Sequence, residues 1–183
     1  MFIQTENTPN PNAVKFFPDS HVSENPIHFS NIEESCGAKL VIKLFSIKGV
    51  VTVFFGSDFI TITKHDEEKW EVLKPHIISA IMDHFVAGLE ALDGYSPLKS
   101  ELLNSDHLSE IEKQIIEIIE TRVRPSVAMD GGDIIYRGFE NGIVYLELRG
   151  SCSGCPSSTI TLKNGIESML QYYIPEVISV EAV

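Results

Sequence analysis

Cysteine is scarce in this chain. Three occur in 183 residues: Cys36, Cys152 and Cys155. A small, odd count excludes the disulfide framework that staples small secreted domains. Long apolar runs are missing as well. The cleanest, Val50-Val51-Thr52-Val53-Phe54-Phe55, falls far short of the roughly 18 residues that a membrane-crossing helix needs. Basic residues are few, with 14 Lys and Arg against 26 Asp and Glu and a formal net charge of -12. That balance argues against nonspecific binding to nucleic acid or anionic membrane, since both rest on cations neutralising phosphates. The first residues, Met1 to Glu6, carry neither a basic stretch ahead of an apolar core nor an Arg-rich, acid-poor leader. A reducing cytosol is therefore the expected compartment. No internal repeat or low-complexity run is present.

What remains is ordinary globular composition, 43% hydrophobic and 22% charged, which argues against wholesale disorder. The acid excess divides evenly. Residues 1–97 and 98–183 each hold 13 acids and 7 bases, so each half carries -6 and neither is a charged tail. Between the halves lie Asp93-Gly94-Tyr95-Ser96-Pro97, Lys99-Ser100-Glu101 and Asn104-Ser105-Asp106. Gly and Pro punctuate a chain, and Asn, Ser and Asp suit a helix N-cap. The expected domains are thus 1–93 and 106–183, joined by a linker over 94–105.

The first half predicts two short strands around the Pro/Asn turn Asn7-Thr8-Pro9-Asn10-Pro11-Asn12, then a helix from Ser35 to about Ser46. A hairpin follows, turning at Gly56-Ser57-Asp58, and then a helix from about Pro75 to Leu89. The second half predicts a helix with Leu108, Ile111, Ile115, Ile118 and Ile119 on one face, stopped by Pro125. Asp130-Gly131-Gly132-Asp133 reads as a turn. Two strands flank Asn141-Gly142, a strong hairpin signal. A helix then opens at Pro156, where a missing N–H costs nothing, and ends at Pro175, and a last strand covers 177–180. The fold class is α+β with two small domains. The first is ββαββα with an antiparallel sheet, the second αββαβ with a mixed sheet.

Cys152-Ser153-Gly154-Cys155 falls between the second hairpin strand and the following helix. Free N–H groups and the positive dipole end of a helix favour thiolate, which is both the nucleophile and the metal ligand. Three readings compete: a redox dithiol, a zinc site and an iron–sulfur site. Only 28 residues follow Cys155, too few for a thioredoxin-like fold, which places its CxxC early. Either metal reading usually needs four ligands. This half holds two cysteines and no His between 108 and 183, so a single copy cannot complete the site alone. A symmetric dimer would supply the missing pair.

The residues around the pair resemble the NifU-like domain. They are Asp130-Gly131-Gly132-Asp133, Gly150-Ser151-Cys152-Ser153-Gly154-Cys155-Pro156-Ser157-Ser158-Thr159, Leu162-Lys163-Asn164-Gly165-Ile166-Glu167 and Ile174-Pro175-Glu176-Val177. In the first half, Thr8-Pro9-Asn10-Pro11-Asn12, Lys43-Leu44-Phe45-Ser46-Ile47, Val53-Phe54-Phe55-Gly56 and Asp58-Phe59-Ile60-Thr61-Ile62-Thr63 resemble the Nfu N-terminal domain. The resemblance spans nearly the whole chain. It implies an iron–sulfur scaffold or carrier, not an enzyme, with Cys152 and Cys155 as the metal ligands. It also implies a [4Fe-4S] cluster held between the CxxC motifs of a homodimer. The partners implied are an upstream assembly scaffold and apo-proteins, which take the cluster by thiolate exchange. Organelle members carry a leader before the first domain, so this chain resembles a bacterial, cytoplasmic member. A thiol–disulfide oxidoreductase using the same pair is the alternative.

The other candidates have plainer readings. Cys36 is expected as a small apolar residue on the Leu40/Leu44 face. His21, His28, His65, His76, His84 and His107 are scattered without metal-ligand spacing. Asp130 and Asp133 read as the caps of a Gly-Gly turn, and Arg122 and Arg124 as complements to a helix dipole. Trp70, Phe54 and Phe55 are expected in the core. If the two phenylalanines face opposite ways, an exposed one would mark a partner surface.

Overall fold

The computed structural model describes residues 2–96, 108–152 and 156–183, the last segment with side chains from Thr159 onward. The chain divides into two compact units, 1–100 and 101–183.

The first unit is built on a five-stranded antiparallel sheet. Its strands are β1 (Gln4–Asn7), β2 (Ala13–Phe17), β3 (Ile27–Phe29), β4 (Val50–Phe55) and β5 (Ile60–Lys64), in spatial order β1-β2-β5-β4-β3. Strand β3 is one more than the sequence pattern predicts. Three residues are too few to display an alternation. Helices α1 (Lys39–Phe45) and α2 (Trp70–Val86) place Leu40, Val41, Leu44, Leu73, Ile77 and Ile81 in one core with Val14, Phe16, Val53, Phe55, Ile60 and Ile62.

Both helices differ from expectation at their starts. Residues 33–35 form a single 3₁₀ turn, and Cys36 at φ 45° breaks the helix that was to run from Ser35. Helix α2 begins five residues before Pro75. Trp70 donates to the Pro11 carbonyl (2.9 Å) and Leu73 is buried, so the first turn is anchored although Pro75 leaves one ladder bond unmade. Phe54 and Phe55 do face opposite ways. Both are nonetheless buried, Phe54 beside His28 and Phe59, so neither marks an exposed partner surface.

The second unit contains α3 (Glu110–Ile118), a π-helical turn (Ile119–Val123), α4 (Arg124–Met129), β6 (Gly132–Glu140), β7 (Ile143–Gly150), α5 (Pro156–Tyr173) and β8 (Ser179–Ala182). Strands β6 and β7 pair antiparallel through Asn141 (φ 51°) and Gly142 (φ 82°). Two consecutive positive φ values are what a tight hairpin turn of this hand requires. Strand β8 returns parallel to β7, which completes the mixed sheet.

Ser109 caps α3. It accepts from the Glu112 N–H, while the Glu112 carboxylate accepts from the Ser109 N–H (2.8 Å). The Tyr136 hydroxyl donates to Glu112 as well, at 2.8 Å. These bonds hold the Glu112 carboxyl below its ordinary value, the Ser109 N–H contributing most. Pro125 does not end this helical stretch. The π turn precedes it, Pro125 sits in the first turn of α4, and the chain stays helical to Met129. The buried residues Ile115, Ile119, Val123 and Val127 recur every four positions along this run and pack with Ile134, Val144, Ile166 and Leu170. Among the described residues, no helix is long and apolar enough to cross a membrane.

Candidate functional site

Strand β7 ends at Gly150, Ser151 and Cys152 form a turn, and α5 opens at Pro156. The cysteine therefore stands at a strand-to-helix corner, as its sequence setting predicts. Cys155 lies outside the described residues. Cys152 is 6% exposed and packs at the edge of the second unit's core.

The corner is held against the turn that precedes β6. The Ser151 N–H donates to the Gly131 carbonyl (3.2 Å), and its hydroxyl donates to the Asp130 carbonyl. Ser151 Oγ also lies 3.9 Å from Cys152 Sγ. The Thr159 hydroxyl in α5 donates to the Cys152 carbonyl at 3.4 Å. Gly132 pairs with Gly150 across the two strands. A Cβ on Gly132 would lie 2.7 Å from Cys152 Sγ and 2.7 Å from the Arg149 carbonyl oxygen. Glycine at 132 thus makes room for the sulfur.

Asp133 does more than cap a turn. It is buried at 2% exposure and forms a fork-to-fork pair with Arg124, at 2.7 Å from Nε and 3.0 Å from Nη2. Arg124 Nη1 reaches both oxygens of Glu120, at 2.8 and 2.7 Å. The Asp133 bonds lead in raising the guanidinium well above its ordinary value. Sequence reading missed this pair because residues nine apart on different elements share no local pattern. Arg122 lies over the Tyr173 ring (4.8 Å). Opposite Asp133 on β7 stands Arg149, which bonds Glu147 at 2.7 Å, and Arg137 holds the same carboxylate from β6. Burial pushes the Glu147 carboxyl up, but the two arginines outweigh it and the net shift is downward.

The remaining candidates belong to the first unit or lie outside the described residues. Cys36 belongs to the first unit, is half-buried, and adopts the left-handed conformation rather than a helical one. His84 is buried, with Nε2 2.7 Å from the Glu90 carbonyl and its ring edge-on to Phe85. His21, His65 and His76 are exposed, and His107 lies outside the described residues. Trp70 packs against the first core from a half-buried position. Among the described residues, no three His, Cys, Asp or Glu side chains gather where they would hold a metal ion.

Comparison with known proteins decides the family. Residues 3–88 match the family described as scaffold protein Nfu/NifU N terminal, and residues 115–181 match the NifU-like domain. A human protein named NFU1 iron-sulfur cluster scaffold homolog, mitochondrial, is 51% identical over 185 residues, covering all of this chain and 72% of its own length. The chain belongs to the Nfu family of iron–sulfur cluster scaffolds. The family description and the relatives' names speak of scaffolds and not of enzymes. A further Nfu relative, NifU-like protein 4, mitochondrial, from Arabidopsis thaliana, is 48% identical; the match covers 99% of this chain and 65% of that protein. A Drosophila ananassae relative named NFU1 iron-sulfur cluster scaffold homolog, mitochondrial, is covered over 64% of its length, so the chain spans about two thirds of such family members. Among solved structures, a NifU-like protein from Saccharomyces cerevisiae is 29% identical, aligns with 55% of this chain and 87% of its own, and gives a TM-score of 0.46.

One expectation is overturned. These Nfu relatives are named mitochondrial, against the reading of a bacterial cytoplasmic protein. That reading rested on the first residues of the sequence, and a leader lies outside the domains, whose folded residues are indifferent to it.

Proposed function

We propose that this Nfu chain carries a [4Fe-4S] cluster as cargo. In this reading Cys152 and Cys155 of one copy and the same pair of a second copy are its four ligands, and apo-proteins take it by thiolate exchange. The observation that carries the reading is the seat of Cys152. A thiol stands at a strand-to-helix corner, backed by a glycine that leaves space for sulfur, in a unit whose sequence holds only two cysteines and no His between 108 and 183. Thiolate is the donor that iron–sulfur clusters take, and four are needed. Two copies supply four. A site shared between subunits also opens one ligand at a time, which suits release better than a closed cage does. An incoming thiolate of the acceptor replaces one cysteine at one iron, and the cargo moves when the acceptor's ligand set is complete. An upstream assembly scaffold is the proposed donor.

Anaerobic reconstitution with iron and sulfide tests this. The expected product is a dimer with four irons and four sulfides. Cys152→Ser and Cys155→Ser chains are expected to lose that content. Either variant holding a full cluster would sink the reading, and so would a colourless wild-type monomer that turns over disulfides.

A further inference from the structure

The turn between α4 and β6 carries the contacts that seat Cys152. The Asp130 and Gly131 carbonyls accept from Ser151, and a Cβ on Gly132 would meet the Cys152 sulfur at 2.7 Å. Yet the turn's own backbone does little to place itself. Gly131, at φ 80°, and Gly132 are adjacent, and glycine gives up more conformational freedom than any other residue when it is fixed. What holds this turn in one place must come from beside it.

Arg124 opens α4 and Asp133 is the second residue of β6, so the two flank the turn. Asp133, at 2% exposure, takes Arg124 Nε at 2.7 Å and Nη2 at 3.0 Å. Glu120, four residues earlier, takes Nη1 through both oxygens, at 2.8 and 2.7 Å, and holds the guanidinium from its other side. Apolar side chains in the place of Arg124 and Asp133 would serve stability as well or better, because an ion pair drawn out of water recovers little net free energy. What a fork adds is direction, since two parallel bonds fix a plane and a distance together.

We propose that Arg124 and Asp133 are positioning residues for Cys152, a clamp that ties α4 to β6 and so holds the 130–132 turn against the thiol. This rests on the function proposed above, in which Cys152 is a ligand of the cargo. With the clamp intact the thiolate keeps one position and yields slowly to an incoming thiolate. Without it the same thiolate moves, and the cargo leaves sooner.

The test uses the full chain, apo and loaded. In the reduced apo chain, alkylation by iodoacetamide is followed at each cysteine by mass spectrometry. Arg124→Met/Asp133→Leu exchanges the pair for apolar groups and is expected to melt close to wild type. Its Cys152 is nevertheless expected to react roughly fivefold faster or more, since a loosened site opens more often, while Cys36 of the first unit keeps its rate. Val180→Ala weakens the same core from β8, the edge strand opposite β6, and is expected to leave the Cys152 rate near that of wild type. If the apolar pair misfolds, Arg124→Lys and Asp133→Asn replace it with the same expectation, because each breaks the fork and keeps a polar side chain. In the loaded chain the clamp variants are expected to release iron to a chelator several-fold faster than wild type. A folded clamp variant whose Cys152 reacts as slowly as wild type overturns the clamp. So does Val180→Ala if it speeds Cys152 as much as the clamp variants do. A wild-type chain that takes no cluster fails the cargo reading alone, because alkylation of the apo chain still decides the clamp.

Discussion

At Gly132 the missing methyl group is what seats Cys152. A Cβ there meets a sulfur and a backbone carbonyl, and only the sulfur can yield, so Gly132→Ala displaces the proposed ligand. Overpacking of this kind costs about 1–3 kcal/mol. The expected outcome is a chain that stays folded, melts a few degrees lower, and takes up several-fold less iron on reconstitution. Thermal melts and an iron assay on one preparation check both parts. The residue scale also shows how legible the site was. Cys152 was readable because its spacing to Cys155 and its place before a helix are local features. Asp133 was misjudged because its partner, Arg124, comes from another element, and only the fold reveals that a turn residue is a buried half of an ion pair.

At the scale of elements, the capping box and Tyr136 converge on Glu112 and keep it ionised. Glu147 is also lowered on balance, by Arg149 and Arg137 against its burial. For a carboxylate depressed in the folded state, the stabilisation is full above the ordinary carboxylate pKa and fades as pH falls through the depressed one. The second unit is therefore expected to lose melting temperature as pH drops below about 4.5. Glu112→Gln is expected to flatten part of that loss and to cost about 1 kcal/mol at neutral pH, where the cap is intact in wild type. Melting curves of both chains between pH 3 and about 7 decide it. Most elements were legible from alternation, helical stripes and the Asn141-Gly142 turn. Two of the misreadings share a cause: local breakers were given too much weight. Pro75 and Pro125 sit inside helical stretches because buried neighbours, Leu73 and Ile77 in one case and Val123 and Val127 in the other, hold the backbone in place. Cys36 offers the reverse case, a break at a residue with no breaking tendency.

On the scale of the whole molecule, residues 1–97 and 98–183 carry equal charge, and a bridged pair would bring together two chains of -12 each. Salt shortens the reach of that repulsion, from about 10 Å at 0.1 M to about 3 Å at 1 M. The cluster-bound dimer is thus expected to gain population as sodium chloride rises across that range, measured anaerobically by sedimentation velocity. A dimer that weakens with salt would mean that opposite charges meet at the contact. The paired domains were legible because two independent stretches of sequence match in order. The compartment was not, since nothing in a folded domain's physics reports it.

The π turn at 119–123 has a further consequence, for which changes of length the chain can bear. An α-helix advances about 100° per residue, so a stripe spaced by four overshoots by about 40° at each step. Ile115, Ile119, Val123 and Val127 keep to one core because the wide turn holds back that drift. The turn works as a vernier. Removing one residue from it leaves a sequence that still forms a helix. Everything downstream is then rotated by about a quarter turn, and Arg124 swings away from Asp133 and the glycine beside it. In this stretch the count of residues constrains the chain more tightly than their identities do.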